Sequence, residues 1–239
     1  MTTVVISQPM YFPWVGFLGQ LALADVMIWL DDAQFSKGSF TNRVQVKTQS
    51  GTKWMTIPLQ GKGYVTNIKD LEATNADWRN SHRSLLVQSL RGNAICDEAL
   101  NCFDMACKEK SVVDLLIASA ELQSIAVSAT PPVIHRSSEM GISGKGWQRV
   151  LDLVLAVGGT EYITGHGAQY YLDHEAFHQA GVEVRYMTYN AKPWPQRFGV
   201  FSPYVTGLDL ISAIPFYERM DYIRPGSKHW RKFIEQNEK

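Results

Sequence analysis

The chain has 239 residues, of which 45% are hydrophobic and 19% charged, a composition that excludes an intrinsically disordered protein and supports a sizeable buried core. Its 23 basic and 23 acidic side chains give a formal net charge of zero, which disfavours a nucleic-acid partner bound through its phosphates. No apolar run approaches the ~20 residues that a membrane-spanning helix needs, so no membrane span is expected.

Two short apolar runs open the chain and predict a parallel β-α-β unit. The β-branched run 4–6 and the apolar run 26–30 are typical of buried strands, and residues 17–24 between them are typical of a short helix. The first strand leads into a loop with two prolines, and the second ends at the carboxylates of Asp31 and Asp32. Open α/β sheets bind ligands at the carboxyl ends of their strands, so we expect function in these loops. A rigid connection without chemistry is the alternative.

Alternating side chains over 40–47 and 53–58 predict a β-hairpin around residues 49–51. A helical section follows from residue 77 and ends at two prolines. The remaining predicted elements are a strand at 133–134, a helix at 147–157, a strand at 162–164, a helix at 174–180 and a strand at 182–186. The predicted fold class is α/β, with a mostly parallel sheet core, a β-hairpin and a helical middle subdomain around 77–129, in one domain spanning residues 1–239.

The adjacent carboxylates of Asp31 and Asp32 are the first candidates for chemistry. Neighbouring side chains on a strand point to opposite faces, so the two do not form a close dyad. One of them could orient a substrate hydroxyl or amine, or act as a base if burial raises its pKa. Turn and cap formation is the alternative reading of the pair.

The hairpin carries a row of cations. Arg43 and Lys47 share a strand face, and Lys53 is expected across the hairpin from them. Such a face suits a phosphate or carboxylate, which arginine grips with two hydrogen bonds. Asn42 and Phe40 beside it add a polar and stacking surface that suits a sugar or a base. An ordinary solvated face would have the same sequence.

Two glycine-containing loops could accept an anion. Gly165 and Gly167 follow a predicted strand and let a ligand approach the backbone, and His166 between them could act as a general base. Ser137 and Ser138 precede a glycine-rich loop that could hold a phosphate, although a flexible surface loop fits as well. Neither segment matches a dinucleotide or phosphate-loop motif, so no nicotinamide site is predicted and the cofactor stays unknown.

Metal-binding patterns are weak. His174 and His178 are one helical turn apart, but no HExxH pattern surrounds them, so we expect a solvated helix face and no metal. The three cysteines Cys96, Cys102 and Cys107 form no CxxC pair, which favours reduced thiols. Together with the lack of a signal-peptide pattern, this predicts a cytoplasmic protein.

Many spaced residues resemble the WbqC-like protein family, in the family's order and over nearly the whole chain. They are Gln8-Pro9, Tyr11, Pro13-Trp14, Gly16, Asp25-Val26, Asp31-Asp32, Gln34-Phe35, Asn42-Arg43, Lys47, Trp54, Pro58, Trp78, His82, Ser137-Ser138, Gly165, Gly167, Tyr171-Leu172, Gln196 and Leu208-Asp209-Leu210. The chain departs from the family pattern at His166, where a small or variable residue is expected, and at Ile214-Pro215, where an asparagine-glycine turn is common.

The resemblance implies a component of bacterial surface-polysaccharide biosynthesis of the O-antigen type. It suggests a transferase that attaches a small acyl or aminoacyl group, such as glycyl, to the amine of an amino sugar carried on a nucleotide. A small-molecule substrate, a nucleotide-linked sugar, would then be the partner. Oligomeric state is left open, with a homo-oligomer among the options.

For such a transfer, Asp32 is the expected base or orienter, and Arg43 and Lys47 are expected to hold an anionic group. The other catalytic candidates are Asp31 and His166. The other substrate-binding candidates are Gln8, Tyr11 and Trp14 as a wall, Gly165 and Gly167 as backbone donors, and Gln34, Asn42, Ser137 and Ser138. The proline-and-aromatic loop and the Arg/Lys face are expected to converge on one small polar ligand.

Two other hypotheses remain open at the level of sequence. A non-catalytic module could present a sugar or nucleotide to a partner enzyme, since the chain shows no recognised nucleophile motif, metal set or phosphate loop. An ATP-using, adenylate-forming amide ligase would also fit an α/β core. However, its nucleotidyl-transferring relatives carry an HxGH motif near the first strand, and this chain has no histidine before His82.

Overall fold

The computed structural model describes residues 1–61, 65–74, 77–128, 130–190 and 192–237, and within these ranges it has an α/β fold. The strands are β1 (Thr3–Ser7), β2 (Val26–Trp29), β3 (Arg43–Thr48), β4 (Gly51–Thr56), β5 (Val133–Arg136), β6 (Glu161–Thr164), β7 (Glu183–Tyr189) and β8 (Pro225–His229). The α-helices are α1 (Val15–Ala22), α2 (Trp78–Leu90), α3 (Cys96–Ala106), α4 (Val112–Val127), α5 (Gly146–Ala156), α6 (His174–Gln179), α7 (Leu208–Ala213), α8 (Arg219–Ile223) and α9 (Trp230–Asn237).

The main sheet has the strand order β5-β2-β1-β6-β7-β8, and β3 and β4 form a separate antiparallel hairpin. All pairs from β5 to β7 are parallel, whereas β8 runs antiparallel to β7. The chain leaves β1 through α1 towards β2, and leaves β6 through α6 towards β7 on the other side. The direction of winding therefore reverses between β1 and β6, which is where open α/β sheets form a crevice for ligands.

Both faces of the sheet are covered, and the alternation of side chains explains how. Met27 and Trp29 on β2 join the hydrophobic cluster that also contains residues of α1, α2, α3, α4 and the hairpin. Val26 and Ile28 on the same strand join a second cluster built with α5, α6 and α9. A parallel strand that is packed on both faces has apolar side chains at every position of its sequence, and β2 shows this pattern.

The predicted α/β fold with a mostly parallel sheet, a hairpin and a helical middle section is confirmed. The sequence analysis predicted no element after β7, and the strand β8 is the most notable of those that the structure adds. Its sequence, Pro-Gly-Ser-Lys-His, has little strand propensity, but Pro225 stands at the first position of an edge strand, where its missing N–H is tolerated. Within the described ranges, no helix combines the length and apolarity needed to cross a membrane.

Candidate functional site

The loops that follow the five parallel strands all start at the same edge of the sheet. Gln8 follows β1, Asp31 follows β2 by one residue, Ser137 follows β5 and Gly165 follows β6. The backbone N–H of Leu30 donates to Ser7 O over 2.8 Å, so the ends of β1 and β2 are held side by side. Four of the sequence-predicted positions thus begin loops at one edge, although their positions in the chain are far apart.

The carboxylates after β2 meet the serines after β5, and we call these four residues with Arg149 the acid–serine cluster. Asp31 accepts hydrogen bonds from the Ser138 hydroxyl (2.7 Å) and backbone N–H (3.0 Å). Asp32 accepts a hydrogen bond from the Ser137 hydroxyl at 2.6 Å and two from the Arg149 guanidinium, at 3.0 and 2.5 Å. The Ser137 hydroxyl also lies 3.3 Å from Asp31 Oδ1, so it is shared by the two aspartates, whereas Ser138 bonds to Asp31 and Arg149 to Asp32.

Electrostatics make Asp32 an anchor rather than a base. Burial alone would raise the pKa of Asp32, but the hydrogen bonds from Arg149 and Ser137 and the charge of Arg149 outweigh it, so this pKa lies below its usual value. A carboxylate that stays ionised accepts protons poorly at neutral pH. Its two bonds to one guanidinium fix the orientation of both side chains.

Tyr11 and its neighbours lie inside the protein. The Tyr11 hydroxyl is 2.9 Å from His82 Nδ1, and the Trp78 ring packs against both residues. Tyr11 has no exposed surface, so it supports the loop after β1 from within and does not form the outer wall that was expected of it. Burial lowers the pKa of His82 to about 4, so that this imidazole is neutral at physiological pH.

Trp14 is half-buried between two tyrosines at the beginning of α1. Its ring centroid is 5.1 Å from that of Tyr189 and 5.6 Å from that of Tyr204. A Cβ atom on Gly16 would stand only 2.0 Å from Trp14 Cζ3. The glycine two residues after the tryptophan is therefore what allows the indole to fold back over the first turn of the helix.

The cations of the hairpin share a face, as predicted, but have different surroundings. The Arg43 guanidinium lies 4.2 Å from the ring centre of the exposed Trp54 and donates to Gly38 O. Lys47 is buried and donates to Gln196 Oε1 at 3.1 Å and to Val200 O at 2.5 Å. Lys53 pairs directly with Val46, so the expectation that it shares the face of Arg43 and Lys47 is wrong.

A buried polar cluster surrounds Lys47 and was not assembled by sequence reasoning. Asp209 on α7 accepts a hydrogen bond from the Trp194 indole at 2.6 Å. Burial raises the pKa of Asp209 to about 6, against the opposing effects of Trp194, Gln196 and Lys47. Burial also lowers the pKa of Lys47, while the charge of Asp209 raises it. We call Lys47, Trp194, Gln196 and Asp209 the Lys47 cluster.

The expected convergence of the proline-and-aromatic loop with the Arg/Lys face is only partial. The backbone N–H of Gly207 donates to Pro13 O, and that of Thr206 donates to Gln45 O on the hairpin, both over 2.9 Å. Segment 205–207 therefore lies between the two regions and occupies the space in which the ligand was expected. Asn42 is likewise buried, and its side chain donates to Ile57 O.

The turn after β6 is the open part of this edge. Cβ atoms built on Gly165 or Gly167 would meet nothing within 4 Å, and neither residue adopts the left-handed conformation. Their lack of side chains thus leaves space above the backbone and is not required by the turn itself. His166 between them is exposed, with its Nε2 2.8 Å from Met187 O and its ring 4.7 Å from that of Phe233.

The remaining candidates differ in exposure. Gln8 is half-buried where β1 ends, beside the crevice, and Gln34 is exposed and forms a β-bridge with Asn67. His174 and His178 do not face one common point. His174 bonds to the Tyr186 hydroxyl, and His178 bonds to Glu183. Among the described residues, no group of three or more His, Cys, Asp or Glu side chains could hold a metal ion.

Comparison with known proteins places these residues in a family. The profile of the WbqC-like protein family matches residues 8–219, a range that contains every candidate discussed above. The chain belongs to the WbqC-like protein family. This WbqC-like chain is also 27% identical over 228 residues to "Uncharacterized protein Rv1507c" of Mycobacterium tuberculosis (strain ATCC 25618 / H37Rv), covering 94% of the chain and 98% of the relative. No solved structure matches it.

Arg149 is the main site residue that sequence reasoning missed. The signal was indirect: a partly buried carboxylate such as that of Asp32 is stabilised by a nearby cation, and no cation is adjacent to it in the sequence. Arg149 lies on α5 beside the buried residues Val150 and Leu153, and its Nε also donates to Ile142 O over 3.0 Å. In this WbqC-like chain, α5 thereby fixes the loops that follow β2 and β5.

Proposed function

We propose that this WbqC-like protein is a transferase of bacterial surface-glycan biosynthesis. It attaches a small acyl or aminoacyl group to the amine of an amino sugar carried on a nucleotide, in the crevice between the carboxyl ends of β1 and β6. The new amide bond forms as the ester or thioester bond of an activated donor breaks, and the donor's alcohol or thiol leaves with the proton taken from the amine. The observation that supports this placement most is the open space above Gly165 and Gly167 at the point where the sheet reverses its winding.

His166 is the group we assign to remove the proton from the attacking amine. Its Nε2 faces the Met187 carbonyl oxygen at 2.8 Å, and a carbonyl only accepts, so Nε2 carries the hydrogen of the neutral ring. Nδ1 is then the unprotonated nitrogen, and it is the atom that we assign to accept the proton of the amine. Phe233 restrains the ring against rotation.

The other residues bind and orient. Backbone N–H groups of the turn after β6 are the donors that we assign to the developing oxyanion of the acyl group. The acid–serine cluster is held by Arg149, and Ser138, its exposed member, is assigned to contact a substrate hydroxyl. Arg43, stacked on Trp54 at the exposed face of the hairpin, is the assigned partner for a phosphate of the nucleotide.

Mass spectrometry of reaction mixtures tests this proposal directly. Purified protein is incubated with nucleotide-linked amino sugars and with acyl or aminoacyl donors, and a mass gain of one small substituent on the sugar is expected. His166→Ala is expected to lower kcat by ~10²–10⁴-fold. Gly167→Ala is expected to raise KM without a loss of thermal stability, because its Cβ would enter the open space.

His178→Ala is the matched control, since His178 is also an exposed histidine but pairs with Glu183 on another part of the surface. It is expected to keep the wild-type rate. A full rate in His166→Ala, or an equal loss in His178→Ala, would contradict the role given to His166. The absence of any product with any donor would contradict the transferase itself.

The second candidate function is a non-catalytic module that binds the nucleotide sugar for a partner enzyme. Two observations favour it. Asp32 is held in an ion pair with Arg149 and is therefore a poor base. Burial raises the pKa of the Cys102 thiol to about 11 and that of the Cys107 thiol to about 12. Neither thiol is therefore a ready nucleophile. Tight sugar-nucleotide binding without turnover would support this function.

A further inference from the structure

A second concave region lies beyond the turn that carries Gly165 and Gly167. It is a cleft of about 450 Å³, formed by the loop 170–175 together with the first residues of α5 and α9. Four aromatic rings and two carboxylates dominate its lining, and they belong to Trp147, Tyr170, Tyr171, Trp230, Asp173 and Glu175. None of the roles assigned above involves these residues.

The aromatic walls combine exposed rings with a rigid platform. Tyr170 is 86% exposed and Tyr171 is 50% exposed, although both are large side chains that proteins usually pack. The Trp230 ring is stacked on His174 at 4.7 Å, and His174 Nε2 is held by the Tyr186 hydroxyl at 2.8 Å. Amphipathic rings around a polar cleft suit a ligand with one apolar and one polar face, such as a sugar ring.

The charges of the residues that line the cleft favour some of these ligands over others. Asp173 and Glu175 are carboxylates, and no lysine or arginine lines the described cleft. Burial lowers the pKa of His174, against the opposing charges of Asp173 and Glu175, which disfavours a positive charge on its imidazole. Arg231 pairs with Glu175 at 3.2 Å, but both side chains are more than half exposed, and such pairs are weak. Phosphates are therefore disfavoured here and cations are favoured.

Asp173 has one oxygen in place for a ligand. Its Oδ1 accepts a hydrogen bond from the backbone N–H of Ala176 at 3.0 Å, which caps α6 and fixes the side chain. Oδ2 has no hydrogen-bond partner in the part of the chain that the structure describes. A protonated amine would supply the missing donor in a charge-assisted bond.

We infer that this cleft binds a sugar ring that carries a free, protonated amine. The ring would stack on Tyr170 and Trp230, and the ammonium would pair with Asp173 and Glu175. The inference rests on the proposed function only in the class of ligand, an amino sugar. The cleft holds the protonated amine on carboxylates, so it is a binding site separate from the crevice in which His166 is assigned to take the proton of the attacking amine.

Binding of free monosaccharides tests the inference independently of turnover. Titration of the full chain at pH 7 with glucosamine, N-acetylglucosamine and glucose is expected to show at least ~10-fold tighter binding of glucosamine. Asp173→Asn keeps a capping side chain and is expected to remove that preference. Tyr170→Ala is expected to weaken binding of all three sugars by ~3–10-fold.

Tyr217→Ala is the matched control, because Tyr217 is another tyrosine with 81% exposure and lies outside the cleft. Unchanged binding in this variant supports the inference, and a loss equal to that of Tyr170→Ala overturns it. Equal affinities for the three sugars also overturn it. If the protein turns over an amino-sugar nucleotide but does not prefer glucosamine to the other two sugars, only the assignment of the cleft is overturned. If it prefers glucosamine but forms no transfer product, only the proposed transferase activity is contradicted.

Discussion

Lys47 and Asp209 carry opposite charges in the interior, and Gln196 lies beside both of them. Lys47 Nζ donates to Gln196 Oε1 at 3.1 Å, Gln196 Nε2 donates to Ser202 O at 2.9 Å, and the Trp194 indole donates to Asp209 Oδ1 at 2.6 Å. The two charges lie close enough to affect each other's pKa, yet no direct ion pair joins them among the described residues. The Lys47 cluster thus brings the hairpin and α7 together around two opposite charges.

Lys47→Met tests this coupling. Removing the positive charge removes a contribution that lowers the pKa of Asp209, so this pKa is expected to rise above the wild-type value of about 6. Carbon-13 NMR titration of the Asp209 carboxyl measures the change. Lys53→Met, on an exposed lysine of the opposite hairpin face, is the control and should leave the titration unchanged.

Asp209 and His82 are expected to give opposite dependences of stability on pH. The folded pKa of Asp209, about 6, is above its ordinary value of 3.8, so its contribution is present below pH 4 and is lost as the pH rises to 6. The folded pKa of His82, about 4, is below 6.5, so its contribution is present above pH 6.5 and is lost as the pH falls to 4.

The two effects therefore largely cancel in the wild-type protein. Urea unfolding between pH 4 and 6.5 is expected to show stability that rises with pH in Asp209→Asn and falls with pH in His82→Gln. Each residue contributes up to about 3 kcal/mol over this range. Parallel pH profiles in the two variants would refute the assignment.

Asp32→Asn is expected to destabilise the protein by ~1–3 kcal/mol at pH 7, because it leaves the Arg149 guanidinium without its ion-pair partner. Since the pKa of Asp32 is lowered, this difference should shrink as the pH falls through the carboxylate range. Asp104→Asn breaks the more exposed pair with Arg83 and should cost less than ~1 kcal/mol. Equal losses in urea unfolding would show that Arg149 does not anchor the two loops.

Gly16→Ala is expected to displace the Trp14 ring, because the added Cβ would stand 2.0 Å from it. Overpacking of this kind typically costs ~1–3 kcal/mol. A fall in melting temperature and a change in tryptophan fluorescence would be the readouts. Gly165→Ala adds the same atom where no neighbour lies within 4 Å and should leave both measurements close to wild type. A Gly16→Ala variant with wild-type stability would contradict the packing described for Trp14.

Much of the architecture could be predicted, because the apolar runs of β1 and β2 have the length and composition of buried parallel strands. The acid–serine cluster is an arrangement that the sequence could not predict. Both halves of it, Asp31-Asp32 and Ser137-Ser138, were singled out separately, but their meeting depends on β5 lying beside β2. Strand order comes from packing between distant segments and leaves no local pattern.

The sequence also could not show whether a polar side chain points into the interior or towards solvent. Tyr11 and Lys47 are polar enough to suggest a ligand surface, yet both are buried and find their partners in His82 and Gln196. The sequence around each residue cannot show this, because the partners come from distant parts of the chain. The aromatic cleft escaped notice for the same reason, as Trp147 and Trp230 meet only after α5 and α9 pack on one face of the sheet.

Because the winding of the sheet reverses between β1 and β6, the proposed reaction region is assembled from independent loops, each attached to its own strand. A change of length or composition in one loop would leave the hydrogen-bonded ladder beneath it intact. Members of the family could therefore acquire new substrate preferences one loop at a time, while the buried scaffold stays the same.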